Sequence, residues 1–79
     1  MYTVYVIKSL SKKFIYAGFT DNLTRRLMQH NAGFNKSTKP YLPYKLIYTE
    51  QVETSAEARK RELFLKSGKG REFIKTIES

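Results

Sequence analysis

Tyr2-Thr3-Val4-Tyr5-Val6-Ile7-Lys8 is a run of β-branched and aromatic residues, and it reads as a strand. Ser9 to Lys13 is a polar turn, and Phe14 to Phe19 is a second strand-like run. Two such runs separated by a short turn predict an antiparallel hairpin. Tyr44 to Val52 (Tyr-Lys-Leu-Ile-Tyr-Thr-Glu-Gln-Val) has the same character and predicts a third strand.

Helical signals fill the remainder. Asp21 or Thr20 can cap a helix running to about Ala32, with Leu23 and Leu27 as its inner stripe and Met28 beside them. Gly33 suits the C′ position that ends it. Phe34 to Leu42 holds Asn, Lys, Ser, Thr and Pro and reads as an exposed basic loop. Thr54-Ser55-Ala56-Glu57 fits a capping box, in which hydroxyl and carboxylate reciprocally satisfy open amides, and a helix should follow to about Lys66. Ser67-Gly68-Lys69-Gly70 breaks that helix. A short last helix, about Arg71 to Ile77, can bury Phe73, Ile74 and Ile77. The expected order is β-β-α-β-α-α, a small α/β domain whose three-stranded, mostly antiparallel sheet is flanked by helices. No repeat, low-complexity stretch or linker divides residues 1–79, so one domain is expected.

At 79 residues the core must be compact, and 41% hydrophobic residues is enough to build one. With no cysteine, neither disulfides nor thiolate metal sites can brace it. No apolar segment approaches signal-peptide or membrane-span length, so a soluble cytoplasmic protein without a membrane partner is expected. Fifteen Lys plus Arg against seven Asp plus Glu leave a net charge of +8. Such a surplus attracts a polyanion through phosphate neutralisation and counterion release, and nucleic acid is the expected partner. Charge does not separate DNA from RNA. Lys36, Lys39, Arg59, Lys60, Arg61, Lys69 and Arg71 suggest the binding face. Phe34 and Tyr41 are interleaved there and either stack on unpaired bases or tuck back onto the domain.

Tyr5, Tyr16, Arg26, His30 and Glu62 supply two phenols, a guanidinium, an imidazole and a carboxylate. Metal-assisted phosphodiester cleavage needs these groups. Each also has a plainer reading. A strand tyrosine packs its ring, Arg26 is a solvated helix residue, and His30 is a packing or surface residue. Glu62 has Arg59 and Lys66 at i−3 and i+4 as salt-bridge partners. Gly18, at a strand end, lets backbone approach a neighbouring element or a phosphate, or marks a bulge or turn. Asn31 and Lys66 are secondary candidates, Lys66 for phosphate contact.

The joint spacing resembles the GIY-YIG nuclease family, in particular its small single-domain bacterial members. Thr3-Val4-Tyr5 matches the first signature triplet loosely, and Tyr16-Ala17-Gly18 matches the second. The two tyrosines stand eleven residues apart, Arg26 follows Tyr16 by ten, and His30 follows Arg26 by four. Glu62 matches the family's metal-binding glutamate. The resemblance covers almost the whole chain. It implies an endonuclease, on DNA more readily than RNA, of branched, damaged or single-stranded form. It also implies one Mg²⁺ or Mn²⁺ on Glu62, retaining several waters. Arg26 would sit on the scissile phosphate. The attacking water would be positioned or deprotonated by Tyr5, Tyr16 or His30. A phenol near pKa 10 is a poor base at neutral pH unless a cation lowers that value. Gly18, Lys36, Lys39, Arg59 and Lys66 would contact nucleic acid. Two departures stand out: Thr3 replaces the first glycine, and Phe19 occupies a position where several members carry a polar residue. No additional target-selecting domain is expected, so a relaxed or structure-dependent specificity, recruitment by a protein partner, or a non-catalytic binding module of the same fold would fit.

Overall fold

The computed structural model describes residues 1–78; Ser79, the last residue of the expected domain, lies outside the described residues. The chain forms β1 (Tyr2–Ser9), β2 (Ile15–Thr20), α1 (Leu23–Asn31), a 3-10 turn (Lys39–Tyr41), β3 (Tyr44–Val52), α2 (Ser55–Lys66) and α3 (Gly68–Glu78). The β-β-α-β-α-α order is as expected. The strands lie β2-β1-β3, and both pairings are antiparallel.

The central position of β1 explains its composition. A strand hydrogen-bonded on both edges and covered on both faces carries apolar side chains at successive positions. Val4 and Val6 face Ala58 and Leu65 of α2 and Ile74 of α3. Tyr5 and Ile7 face the opposite way, onto Tyr44, Leu23, Leu27 and Leu42. Each side chain so buried stabilises by about 1.5–3 kcal/mol. Phe19, which stands at the family's polar position, packs edge-on against Tyr2 with ring centroids 6.1 Å apart.

Several boundaries differ from expectation. β2 continues to Thr20, which moves the cap of α1 from Thr20 or Asp21 to Asn22, whose Oδ1 accepts from Arg25 N at 3.0 Å. Met28, expected beside the inner stripe, is 67% exposed. Leu23 and Leu27 are one helical turn apart and take the sheet-facing positions, and the next residue is rotated away by about 100°. Thr54 caps α2 as expected, accepting from Glu57 N at 3.2 Å, but the Glu57 carboxylate contacts the Thr54 hydroxyl at 3.3 Å, not the Thr54 amide. Ser67 ends α2 and starts the next helix at once: its Oγ accepts from Gly70 N, and its carbonyl from Arg71 N. α3 therefore begins at Gly68 and not near Arg71. Ile74 is buried, and Phe73 and Ile77 are half-buried.

Candidate functional site

The five residues singled out by spacing come from four elements. β1 carries Tyr5, β2 carries Tyr16, α1 carries Arg26 and His30, and α2 carries Glu62. The fold brings them together around the β1–β2 pair. The Tyr5 and Tyr16 rings lie 6.4 Å apart, and the His30 ring lies 5.8 Å from Tyr5 and 5.1 Å from Tyr16. Arg26 and Glu62 are both close enough to act electrostatically on the Tyr5 hydroxyl.

Tyr5 and His30 are each only 1% exposed. Buried polar groups require partners, and these two satisfy one another. Tyr5 Oη and His30 Nε2 are 2.8 Å apart, and His30 Nδ1 is 3.0 Å from Thr38 Oγ1. The Thr38 hydroxyl donates to the Asn35 carbonyl at 3.3 Å, so it accepts from His30 Nδ1–H. That assignment leaves Nε2 as the acceptor of the Tyr5 proton. The electrostatics agree. Burial, reinforced by Tyr16, pushes the Tyr5 phenol well above its usual pKa. Burial, reinforced by Arg26, lowers that of His30. A neutral imidazole held in one tautomer beneath a protonated phenol is the result.

Thr38 was not singled out by any pattern in the sequence. It is fully buried within a loop that reads as exposed and basic. Its carbonyl accepts from the Tyr44 hydroxyl at 2.8 Å, which folds the loop back onto β3. Asn31 is also structural: its Oδ1 accepts from the backbone of Tyr44 at 2.8 Å.

Gly18 pairs directly with Tyr5 across the hairpin. A Cβ there would lie 2.8 Å from the Tyr5 hydroxyl and 3.1 Å from the Tyr16 ring. Gly18 is buried, so the close approach it permits is to the phenols of neighbouring residues, and the β-bulge of the sheet lies elsewhere, between Val6 and Ile7. Tyr16 differs from Tyr5 in being only half-buried. It has the Lys66 ammonium 5.7 Å from its ring centroid.

Glu62 is 7% exposed. Arg59 lies 3.1 Å from one carboxylate oxygen and Lys66 lies 3.4 Å from the other. Both expected ion pairs therefore form, on the same residue that the family spacing marks as a metal ligand. Among the described residues no three His, Cys, Asp or Glu side chains cluster as a metal cage. One hard carboxylate suits an ion such as Mg²⁺, which keeps several waters and completes its shell with substrate phosphate. Arg59 and Lys66 are themselves exposed, so both can swing away into solvent or onto phosphate when a cation takes their place.

The expected nucleic-acid face divides. Lys36, Lys39, Arg59, Lys60, Lys66, Lys69 and Arg71 are exposed. Arg61 is not available in the same way: its Nε lies 2.9 and 3.0 Å from the two Glu50 oxygens, and its guanidinium rests 4.7 Å from the Phe64 ring centroid. Tyr41 tucks back, stacked on Phe14 at 4.0 Å, whereas Phe34 is 76% exposed.

A family model described as the GIY-YIG catalytic domain matches residues 1–75. A UPF0213 protein of Staphylococcus haemolyticus is 36% identical over 76 residues, covering 95% of this chain and 92% of its own length. One from Listeria welshimeri is 43% identical over 63 residues, covering 78% of this chain and 69% of its own length. One from Clostridium perfringens is 35% identical over 77 residues, covering 96% and 82% respectively. No solved structure matches the chain at a significant level.

Proposed function

From the premise that this chain belongs to the GIY-YIG catalytic-domain family, a superfamily of nucleases, we propose that it is a divalent-metal-dependent endonuclease that hydrolyses DNA. The observation that carries this reading is the convergence of Tyr5, Tyr16, His30, Arg26 and Glu62 at one place from four separate elements.

Hydrolysis forms a bond from a water oxygen to phosphorus, breaks the bond to the leaving sugar oxygen, and delivers the proton lost by the water to that oxygen by way of solvent. Arg26, exposed at the rim, places its guanidinium on the scissile phosphate and balances the charge that grows there. Glu62 would hold the metal, which would supply Lewis-acid polarisation of the phosphate. Burial separates the two phenols into different roles. Tyr5 is sealed, its proton committed to His30, so the pair positions the site from beneath. Tyr16 is the phenol that solvent reaches, and it orients the attacking water. Lys66 helps hold the substrate backbone once released from Glu62.

The test is cleavage of supercoiled plasmid and of a branched oligonucleotide in Mg²⁺, Mn²⁺ and EDTA, with matched DNA and RNA competitors. Glu62→Ala, purified identically, should lose activity by at least about a hundredfold. Its circular dichroism should be unchanged, because Arg59 and Lys66 simply return to water. Full cleavage by that variant would remove Glu62 from the mechanism. Binding without cleavage in every metal would support a binding module instead.

A further inference from the structure

An open cleft of about 380 Å³ is lined by Arg26, Gln29, His30, Phe34, Asn35 and Lys36. It falls at the small end of the range ligand sites occupy, roughly 300–1,000 Å³. Its lining includes Arg26 and His30 of the candidate site. It also includes Phe34, the most exposed aromatic residue in that loop. We propose that Phe34 is a stacking platform for one unpaired base of the strand being cut, the base next to the scissile phosphate. This inference rests on the nuclease reading for the position of that phosphate.

The backbone of Phe34 is pinned. Gly33 adopts φ +81°, its amide donates to His30 O at 3.2 Å, and the Phe34 amide donates to Gln29 O at 3.0 Å. These two bonds make the glycine cap that closes α1. An apolar residue after such a glycine ordinarily folds back onto the last helical turn. Phe34 nonetheless remains 76% exposed. The same loop turns its other aromatic, the half-buried Tyr41, onto Phe14. Its next residues are anchored through Thr38 to His30. A ring carried on a pinned backbone has less freedom to lose on binding, which favours stacking.

The surroundings select the occupant. Lys36 and Arg26 border the cleft and suit the phosphates on either side of a base. Asn35 Oδ1 already accepts from the Ser37 amide and hydroxyl at 3.0 and 2.7 Å, which leaves the Asn35 NH₂ to donate to a base edge. An apolar protein segment would leave these cations and amides without partners. A paired base presents no open face, so the cleft favours single strands, bulges or branch points.

The measurement is fluorescence anisotropy in EDTA, where nothing is cut, with a labelled single-stranded oligodeoxynucleotide of about 12 nucleotides. The same strand made fully abasic and the matching blunt duplex are the comparisons. Wild type should bind the base-bearing strand most tightly. Phe34→Ala should weaken that binding by about tenfold or more and leave the abasic strand unaffected, and Phe34→Trp should restore it. Equal binding of base-bearing and abasic strands by wild type would overturn the proposal. So would unchanged binding by Phe34→Ala, including the case in which that variant alters only self-association. Cleavage in Mg²⁺ reads the underlying nuclease function separately. Cleavage with a neutral Phe34→Ala sinks the stacking site alone, and Phe34-dependent binding without cleavage sinks the nuclease alone.

Discussion

His30 is the imidazole of the candidate site, packed against the Tyr5 and Tyr16 rings. Its pKa lies below the ordinary 6.5 because burial, then Arg26, disfavours the imidazolium. As pH falls through about 6.5 the unfolded chain takes up the proton first, so proton uptake favours unfolding. The His30 contribution is thus fully present above that value. It is lost progressively below it, until the lower pKa of the folded state is passed. Arg26 is the charged group facing the ring; Tyr5, Tyr16, Tyr44 and Thr38 are its neutral neighbours. The urea midpoint of wild type should therefore fall between about pH 7.5 and pH 5.5, a window above the usual carboxylate range. His30→Gln should start lower and stay flat across the same interval. A flat wild-type profile would mean that His30 is not held neutral. Spacing made His30 a candidate residue, but its partner Thr38 has no signature in sequence, because one threonine in a polar loop resembles any other.

Helix junctions show why a composition rule and a packed contact can point in opposite directions. Gly68 and Gly70 both lie in α3. Helix propensity predicts that alanine at either would stabilise by up to about 1 kcal/mol. At Gly68 nothing lies within 4 Å of the added Cβ, so that gain should stand. At Gly70 the Cβ would run into the Phe64 carbonyl and the Leu65 backbone, where α3 turns tightly off the end of α2. Overpacking of this kind costs about 1–3 kcal/mol, and backbone yields less than side chain, so the upper end is expected. Thermal melts should place Gly68→Ala at or above wild type and Gly70→Ala clearly below it. Equal melting of the two variants would contradict the close approach. The break between α2 and α3 was readable from Ser67-Gly68-Lys69-Gly70, but its geometry was not, since a serine can end one helix and cap the next only when the second packs back on the first.

The +8 charge acts across the entire chain, but not every cation contributes equally to binding. Lys36 is exposed beside the candidate site, whereas Arg61 is engaged by both oxygens of Glu50. Each phosphate contact on a single strand adds about 0.7 to the slope of log affinity against log salt. Lys36→Ala should reduce that slope by about 0.7, and Arg61→Ala should leave it unchanged while lowering the melting temperature. A slope lost equally in both variants would show that Arg61 leaves Glu50 on binding. All these cations look alike as letters, because pairing depends on residues distant in the chain: Glu50 is on β3 and Arg61 on α2.

Element order, the glycine that ends α1 and, through the family resemblance, the five-residue constellation were present in the chain itself. They follow from short-range periodicity, capping chemistry and fixed spacings, which need no knowledge of what packs on top. Folding set the rest. It sealed Tyr5 and left Tyr16 half-open, although both are strand tyrosines. It placed Thr38 under His30, set Arg59 and Lys66 on Glu62, and turned Tyr41 inward and Phe34 outward. Burial is a property of the elements laid over a side chain, and those elements come from far along the sequence, so exposure and with it chemical role are decided only when the layers close.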